Sequence, residues 1–387
     1  MKRFVTFALV LFLALGIFVS CGAEKKVDTE PVPEDVTPAE LPLLRVGHVN
    51  QDHHLALYVA ALKGEFFKDK GVWMTEIKPK ERYILHTEKG AIAEVQLVKS
   101  KGGSEMTNNL LAGLFDIGFG GVPAVMSVVD KGKDVRILLP LQNAGDQLIV
   151  KNDMPAENWE EFVEFVKNSE VQIRLGYKAP TAVQYIVAQK AFTEVGITQT
   201  EDPTNTDAMV LWIDQKGQNN MTTNLAADQV DGFVANQPTP AQAIVTGVGK
   251  FITELSVLPP DGMWSHHPCC MVCSNEKIKT DYPNETKQFL KLIMLATDHI
   301  NDDMNDAIEI AYEFLGQKEG VEDLSIPTVY YNCNDDEVWR GGVATWAAVM
   351  NEIGKYTGEL KDITDERAVD LCVDFTFLHE LQKELGK

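Results

Sequence analysis

From residue 43 to Cys273, short apolar runs of strand character alternate with segments of helical spacing, and beyond Cys273 the chain turns mainly helical. That order restricts the fold more than any single motif. An apolar strand over 43–47 ends in glycine, and helical spacing over 55–67 then stops at Lys68-Asp-Lys-Gly71. A helix over 107–115 leads into a buried strand, 116–119, that ends in Gly120-Gly121. Further strands are expected at 135–141, 147–150, 171–177 and 231–235, with a helix over 181–195 closed by Gly196. The tail should form helices over 285–300, 304–315, 336–353 and 364–385. Such alternation gives α/β architecture, and residues 43–387 exceed what one compact core holds. Two βα series, then an apolar strand and a long helical tail, describe a chain that crosses twice between two lobes. The expected limits are 43–145 plus 275–387 for the first lobe and 146–274 for the second. Ligands of open α/β sheets sit at the carboxyl ends of strands. Those ends here are Gly47-His48, Gly120-Gly121, Tyr177-Lys178 and Asn236-Gln237.

The chain opens Met1-Lys2-Arg3 and continues from Phe4 to Val19 almost without a polar residue. A charged start before an apolar run too short for a comfortable bilayer span reads as an export signal over 1–20. It ends Phe18-Val19-Ser20-Cys21-Gly22, which resembles the lipobox of bacterial lipoproteins, with Phe18 where those proteins prefer leucine. The resemblance implies lipidation of Cys21; an ordinary secretory signal is the alternative. Residues 21–42, with Lys25-Lys26, acidic residues and prolines, lack the means to build a core and are expected to be a disordered, acidic, proline-rich tether. The body is then extracytoplasmic, in the periplasm or at the cell surface, and held to a membrane through its lipid. The formal charge of -22 argues against nucleic acid as a partner. After Cys21 five cysteines remain, an odd number that does not suit a disulfide framework.

Two patches concentrate the soft, titratable side chains: His48-Val-Asn50-Gln-Asp52-His53-His54, and His266-His267-Pro-Cys269-Cys270-Met-Val-Cys273. Brought together they would supply the ligand types that thiophilic cations and thiol chemistry require. The second patch reads as a strand, so Cys269, Met271 and Cys273 should face one way and Cys270 and Val272 the other. Cys270 and Cys273, three apart, then cannot chelate together, and no second CxxC supports a zinc ribbon. Cys273 is expected to be a small buried hydrophobe. Cys269 and Cys270, at the strand's start, are either cleft residues or packing. Cys333 and Cys372 are read as core, and His86, His299 and His379 as surface. His48, directly after the first strand, is the leading histidine; of the adjacent pair His53-His54 one at most should reach the cleft. The candidate soft-metal ligands are therefore His48, Cys269 and Cys270.

Several segments carry a family resemblance. Leu44-Arg-Val-Gly47, Tyr58-Val-Ala60 with Lys63-Gly64-Glu-Phe-Phe67, Gly102-Gly103-Ser104, Leu111-Ala-Gly-Leu-Phe-Asp-Ile-Gly118 and Gln229-Val-Asp-Gly-Phe-Val234 resemble the periplasmic binding proteins for nitrate, taurine and aliphatic sulfonates, a superfamily that includes the thiamine-pyrimidine synthases. The resemblance implies a two-lobed, type II Venus-flytrap fold that closes on a small ligand and delivers it to an ABC permease and ATPase, as a monomer without a cofactor and without catalysis. Carried over residue by residue, it implies a pocket built from His48, Asn50, Asp52 and His53; Gly103 and Ser104; Gly120 and Gly121; Thr181; and Asn236 and Gln237. His267, Cys269 and Cys270 join this pocket if the return strand borders it. Ala182 stands where many members carry a hydroxyl, and the first loop has three histidines and Asp52, both departures from a simple oxyanion site.

The cargo could thus be a small organic acid, sulfonate or pyrimidine, or a soft metal or organometal held by Cys269, Cys270 and His48. Two other functions stay open. Cys269-Cys270-Met-Val-Cys273 resembles the C-C-C-x-C run of fungal thiamine-pyrimidine synthases, which implies a thiol- and imidazole-dependent enzyme, although an export signal does not suit those intracellular proteins. A sensory lipoprotein that keeps the fold without transport is the other.

Overall fold

The computed structural model describes residues 41–387, except for the side-chain surroundings of Gly103 and Ser104. The export signal, Cys21 and nearly all of the tether lie outside the described residues. Among those described, fourteen strands form two mixed sheets. The first sheet takes β1 (Leu43–His48), β2 (Val72–Lys78), β3 (Arg82–Thr87), β4 (Gly90–Lys99), β5 (Ile117–Gly121) and β6 (Arg136–Ala144), and later β13 (Pro268–Ser274) and β14 (Val329–Tyr331), in the order β14-β6-β13-β5-β1-β4-β3-β2. The second takes β7 (Asp146–Val150), β8 (Ile173–Tyr177), β9 (Gln199–Thr200), β10 (Val210–Asp214), β11 (Gly232–Asn236) and β12 (Lys250–Glu254), in the order β12-β7-β11-β8-β10-β9.

The expected two-lobed α/β fold is therefore present. In the first sheet β4, β1 and β5 run parallel, and in the second β11, β8, β10 and β9 do. The helix Leu55–Leu62 follows β1 and is apolar all round, with every residue but the last buried, as a helix enclosed by other helices must be. It packs against Pro283–Asp302 and Met304–Leu315, so the tail returns to cover the first sheet. The indoles of Trp264, Trp339 and Trp346 are fully buried. No helix among the described residues is long and apolar enough to cross a membrane.

Two departures from the sequence reading have physical causes. The antiparallel β2-β3-β4 meander went unread, because its charged residues (Glu76, Lys78, Arg82, Glu94, Lys99) mask the alternation; the ladder itself is regular apart from two shifts of register. The single helix expected over 364–385 is two, Glu366–Cys372 and Thr376–Leu385. Between them Val373 bridges to Ile137 and the Asp374 N–H donates to the Ile137 carbonyl at 2.8 Å, so sheet pairing at β6 interrupts the helix.

The chain passes from the first sheet to the second at a single residue, Gly145, between β6 and β7. It returns just before Pro268, and the hydrogen bonds of β13 to β5 and β6 put that strand in the first sheet. The two crossings are stitched together. The Ala144 N–H donates to the His267 carbonyl at 3.2 Å, and His267 Nε2 lies 2.9 Å from Asp146 Oδ2. Ala144, Gly145 and His266 all hold positive φ angles (56°, 77° and 55°). These crossings place the site described next.

Candidate functional site

The carboxyl ends of β1, β5, β8 and β11 face one another across the gap between the sheets, as the strand order required. After β1 the chain winds through a short 3-10 turn, Asp52–His54, in which all three side chains are buried. That turn brings His53 to the start of β13. His53 Nδ1 lies 3.4 Å from Cys269 Sγ and 3.9 Å from Cys270 Sγ, and all three ligand atoms fall within 4.8 Å of one another.

Adjacent residues of a regular strand cannot both do this. The register explains how they do: Pro268 pairs with Asn143 and Cys270 with Gln142, so Cys269 is an extra residue opposite one step of β6. This β-bulge turns both sulfurs toward the same histidine, which corrects the expectation that Cys269 and Cys270 face opposite ways. Beyond the bulge Cys273 behaves as anticipated. It is fully buried, with Sγ 3.5 Å from the Gly118 carbonyl and 4.0 Å from Met106 Sδ.

The histidine is oriented from behind. His53 Nε2 lies 3.0 Å from the Gly145 carbonyl, an acceptor, so Nε2 carries a proton and the ring is fixed with Nδ1 aimed at the sulfurs. Gly145 is required there twice over: its φ is 77°, and a Cβ on it would lie 2.7 Å from His53 Nε2. Around the sulfurs stand two side-chain amides. Gln51 Nε2 is 3.6 Å from Cys270 Sγ and 2.8 Å from His54 Nε2; Gln184 Nε2 is 3.8 Å from Cys269 Sγ and 2.5 Å from Asp146 Oδ1. Gln184 comes from the helix Val183–Glu194 over the second sheet, so both lobes contribute.

The two thiols are electrostatically unlike. Burial raises Cys269, and its bond to Cys270 and the charge of Asp146 raise it further, well above the ordinary thiol range. Burial also opposes ionisation of Cys270, but hydrogen bonds from Cys269, His53 and His54 outweigh it and hold that thiol well below its ordinary value. Two sulfurs and an imidazole nitrogen form a soft ligand set.

The closed cleft outside the sulfurs has a cavity volume of about 20 Å³, room for roughly one water molecule. Its walls are small (Gly102, Gly120, Gly121, Ala124, Ala179, Ala182), and its polar residues are Gln51, Lys178, Thr181, Gln184 and Gln218. The lobes are closed over it: Asn236 Nδ2 donates to Gln51 Oε1 at 2.8 Å and Gln218 Nε2 to the Asn50 carbonyl at 3.2 Å.

Of the residues singled out from sequence, Gly120, Gly121, Thr181, Cys269 and Cys270 line this cleft, and Gly103-Ser104 open the helix Gly103–Leu111 beside Gly102. Asn236 is buried at its rim, where it also accepts from Lys178 Nζ. Gln237 turns away, its Oε1 accepting from the Ala241 N–H at 3.2 Å. His267 lies behind the site, its Nδ1 2.8 Å from the Trp264 carbonyl and its Nε2 on Asp146. Asp52 also points away, to Ser325 Oγ and the carboxyl of Glu322; burial, then the charge of Glu322, raises its pKa well above the usual range.

His48 needs correction as a ligand. It is fully buried, with its ring centroid 5.8 Å from that of Tyr58 and 6.1 Å from that of Phe314, and it is not one of the sulfur-facing group. Burial lowers its pKa to about 3, so it packs as a neutral ring. The last residue of β1 points into the helical layer; the turn after it reaches the cleft. His299, read as surface, is also buried, and its Nε2 lies 2.6 Å from Asp306 Oδ2. Lys178 was named only as a strand end, and Gln51, Asp146, Gln184 and Gln218 were missed. The only signal was adjacency, since Gln51 sits inside the histidine patch and Gln184 three residues after Thr181.

Comparison with known proteins follows the same lines. The sequence profile of the NMT1-like family matches residues 37–314. An uncharacterized protein of Methanocaldococcus jannaschii is 31% identical over 153 residues, 39% of this chain and 97% of that one. Among solved structures, the periplasmic nitrate-binding protein of Synechocystis PCC 6803 superposes with a TM-score of 0.69 at 15% identity, covering 89% of each chain. The ligand-binding component of an ABC-type import system from Staphylococcus aureus, solved with zinc bound, gives 0.66 at 14% identity over 88% of this chain and 99% of that one. The alkanesulfonate-binding protein of Xanthomonas axonopodis pv. citri, bound to MOPS, gives 0.60 at 13% identity over 85% and 98%. At such identities the likeness is one of fold.

Proposed function

The chain belongs to the NMT1-like family, and on that premise we propose that it is the substrate-binding component of an ABC importer whose cargo is a thiophilic cation or a small organic derivative of one. It binds and releases without transforming. Its partners are a permease and an ATPase, and it works outside the cytoplasm, tethered through a lipid on Cys21. The observation that carries the cargo class is the convergence of His53 Nδ1 with both sulfurs inside a closed two-lobed cleft. Buried thiol pairs are costly to assemble for packing alone, since a regular strand would have separated them. The structural neighbours, one of them described as the ligand-binding component of an ABC-type import system and solved with zinc, support the transport reading.

A second cargo has its own support. The helices Gly103–Leu111 and Val183–Glu194 begin at the cleft, and Lys178 lines it, an arrangement that suits an anion such as a carboxylate or sulfonate. Native mass spectrometry of anaerobically reduced protein, offered Cd2+ and separately an alkanesulfonate, decides between the two. One cadmium bound by the wild type and none by Cys269→Ala/Cys270→Ala is the expected result. A sulfonate adduct indifferent to that double substitution, with no cadmium bound, would overturn the thiophilic reading.

A further inference from the structure

The same bulge that aims two sulfurs at one histidine also puts them beside each other. Both lie on His53 Nδ1, at 3.4 and 3.9 Å, and within 4.8 Å of one another. No other described cysteine competes for either. Cys273 Sγ is held at the Gly118 carbonyl, Cys333 Sγ lies 3.2 Å from Thr297 Oγ1, and Cys372 is buried in the helix Glu366–Cys372. Cys269 and Cys270 alone among them line the cleft.

We propose that Cys269 and Cys270 are a modification site: in the open, empty protein they close into a vicinal disulfide that disarms the cargo site, and reduction re-arms it. The inference deepens the proposed function and rests on it for what disarming means. The oxidant is an external disulfide of the low-molecular-weight thiol class, RSSR. The Cys270 sulfur attacks one sulfur of RSSR, the S–S bond breaks, and one RSH leaves. The Cys269 sulfur then attacks the Cys270 sulfur of the mixed disulfide, and its proton leaves with the second RSH that it expels. Two protein thiols and RSSR become one protein disulfide and two RSH, with no other reactant.

Geometry makes such a bond labile. Disulfides usually join Cα atoms roughly 4.4–6.8 Å apart, whereas neighbouring Cα atoms across a trans peptide are about 3.8 Å apart. The ring is strained, and strained disulfides are the readily reduced, regulatory ones. A thiophilic cargo bound first holds the lobes shut over both sulfurs and protects them.

The test uses cargo-free protein, wild type and Cys273→Ala, reduced anaerobically and then incubated with oxidised glutathione. The Cys273→Ala variant matters because Cys269, Cys270 and Cys273 fall in one proteolytic peptide. Expected are a loss of two hydrogen atoms in mass in both proteins, located to the 269–270 peptide, with cadmium uptake abolished and then restored by dithiothreitol. Cys269→Ser should instead stop at a glutathione adduct on Cys270. A persistent glutathione adduct on the wild type, an unchanged mass, or oxidised protein that takes up cadmium as well as the reduced form would overturn the proposal. Reduced protein that never binds cadmium would instead overturn the proposed cargo, leaving the disulfide to be judged by mass alone.

Discussion

Strand β13 carries three cysteines, and its two ends treat them in opposite ways. At the interior end Cys273 sits in an unbroken ladder with β5, although the pairing with β6 shifts beside it; burial pushes its thiol up to about 12, and it behaves as a hydrophobe. At the crossing end a bulge, a histidine and two amides gather Cys269 and Cys270, and Cys270 is driven the other way, toward thiolate. Both ends are equally buried. Burial therefore does not decide whether a cysteine is inert; the polar groups that reach it do. The backbone is the cause, because the bulge belongs to the same few residues that carry the chain between lobes.

The comparison breaks most sharply under substitution at each end. Cys269→Ala/Cys270→Ala should lose cadmium capture by more than the 10–100-fold, roughly, that a change outside the ligand shell produces, while Cys273→Ala keeps it; cadmium competition titrations measure both. If Cys273→Ala lost capture equally, the two ends would not differ in kind. His53→Ala should weaken capture severely and His48→Ala leave it within a few fold, provided circular dichroism shows both variants folded. Gly145→Ala tests the support behind the histidine. Its Cβ displaces His53 Nε2 and its φ is unfavourable, so capture should weaken by about 10–100-fold.

Acid behaviour offers a separate check at the buried carboxyl pair of Asp52 and Glu322. Burial raises Glu322 from 4.5 to about 7, beside Asp52. A folded-state pKa above the unfolded one means that the native protein keeps a proton the unfolded chain has released. Stability should then be greatest below about pH 4.5 for this group and decline as pH rises through about 7, by at most about 3 kcal/mol at ~1.4 kcal/mol per unit. Denaturant titrations from pH 5 to 8 should show this slope reduced in Glu322→Gln; an unchanged slope would remove the carboxyl pair from the account. The smallest effect expected is on stability in Cys273→Ala, about 1 kcal/mol for a lost buried sulfur, seen as a modest fall in Tm without any change in pH dependence.

Much of this was legible in the sequence. The apolar runs and their glycine ends located β1, β5, β6, β7, β8 and β11, because a buried strand has to be continuously apolar whatever surrounds it. The helix 304–315 was placed to the residue, since the capping Asp303 and the terminal Gly316 are local signals. Cys273 could be assigned from strand periodicity, and Gly120, Gly121, Thr181 and Asn236 from their places at strand and helix ends. His48 could not be told from His53 in this way. Two histidines five residues apart differ only in whether the chain has yet left the strand, and that depends on where the turn after β1 is packed.

The sequence by itself determined the two lobes, their order along the chain and the chemical character of the two His/Cys patches, since these follow from periodicity and composition, which are local. Only the tertiary structure decided that the patches meet, which histidine makes the contact, and that Cys269 and Cys270 share a face. Those outcomes depend on a one-residue bulge against β6 and on a carbonyl at the crossing, and pairing between residues more than a hundred positions apart leaves no trace in the local pattern.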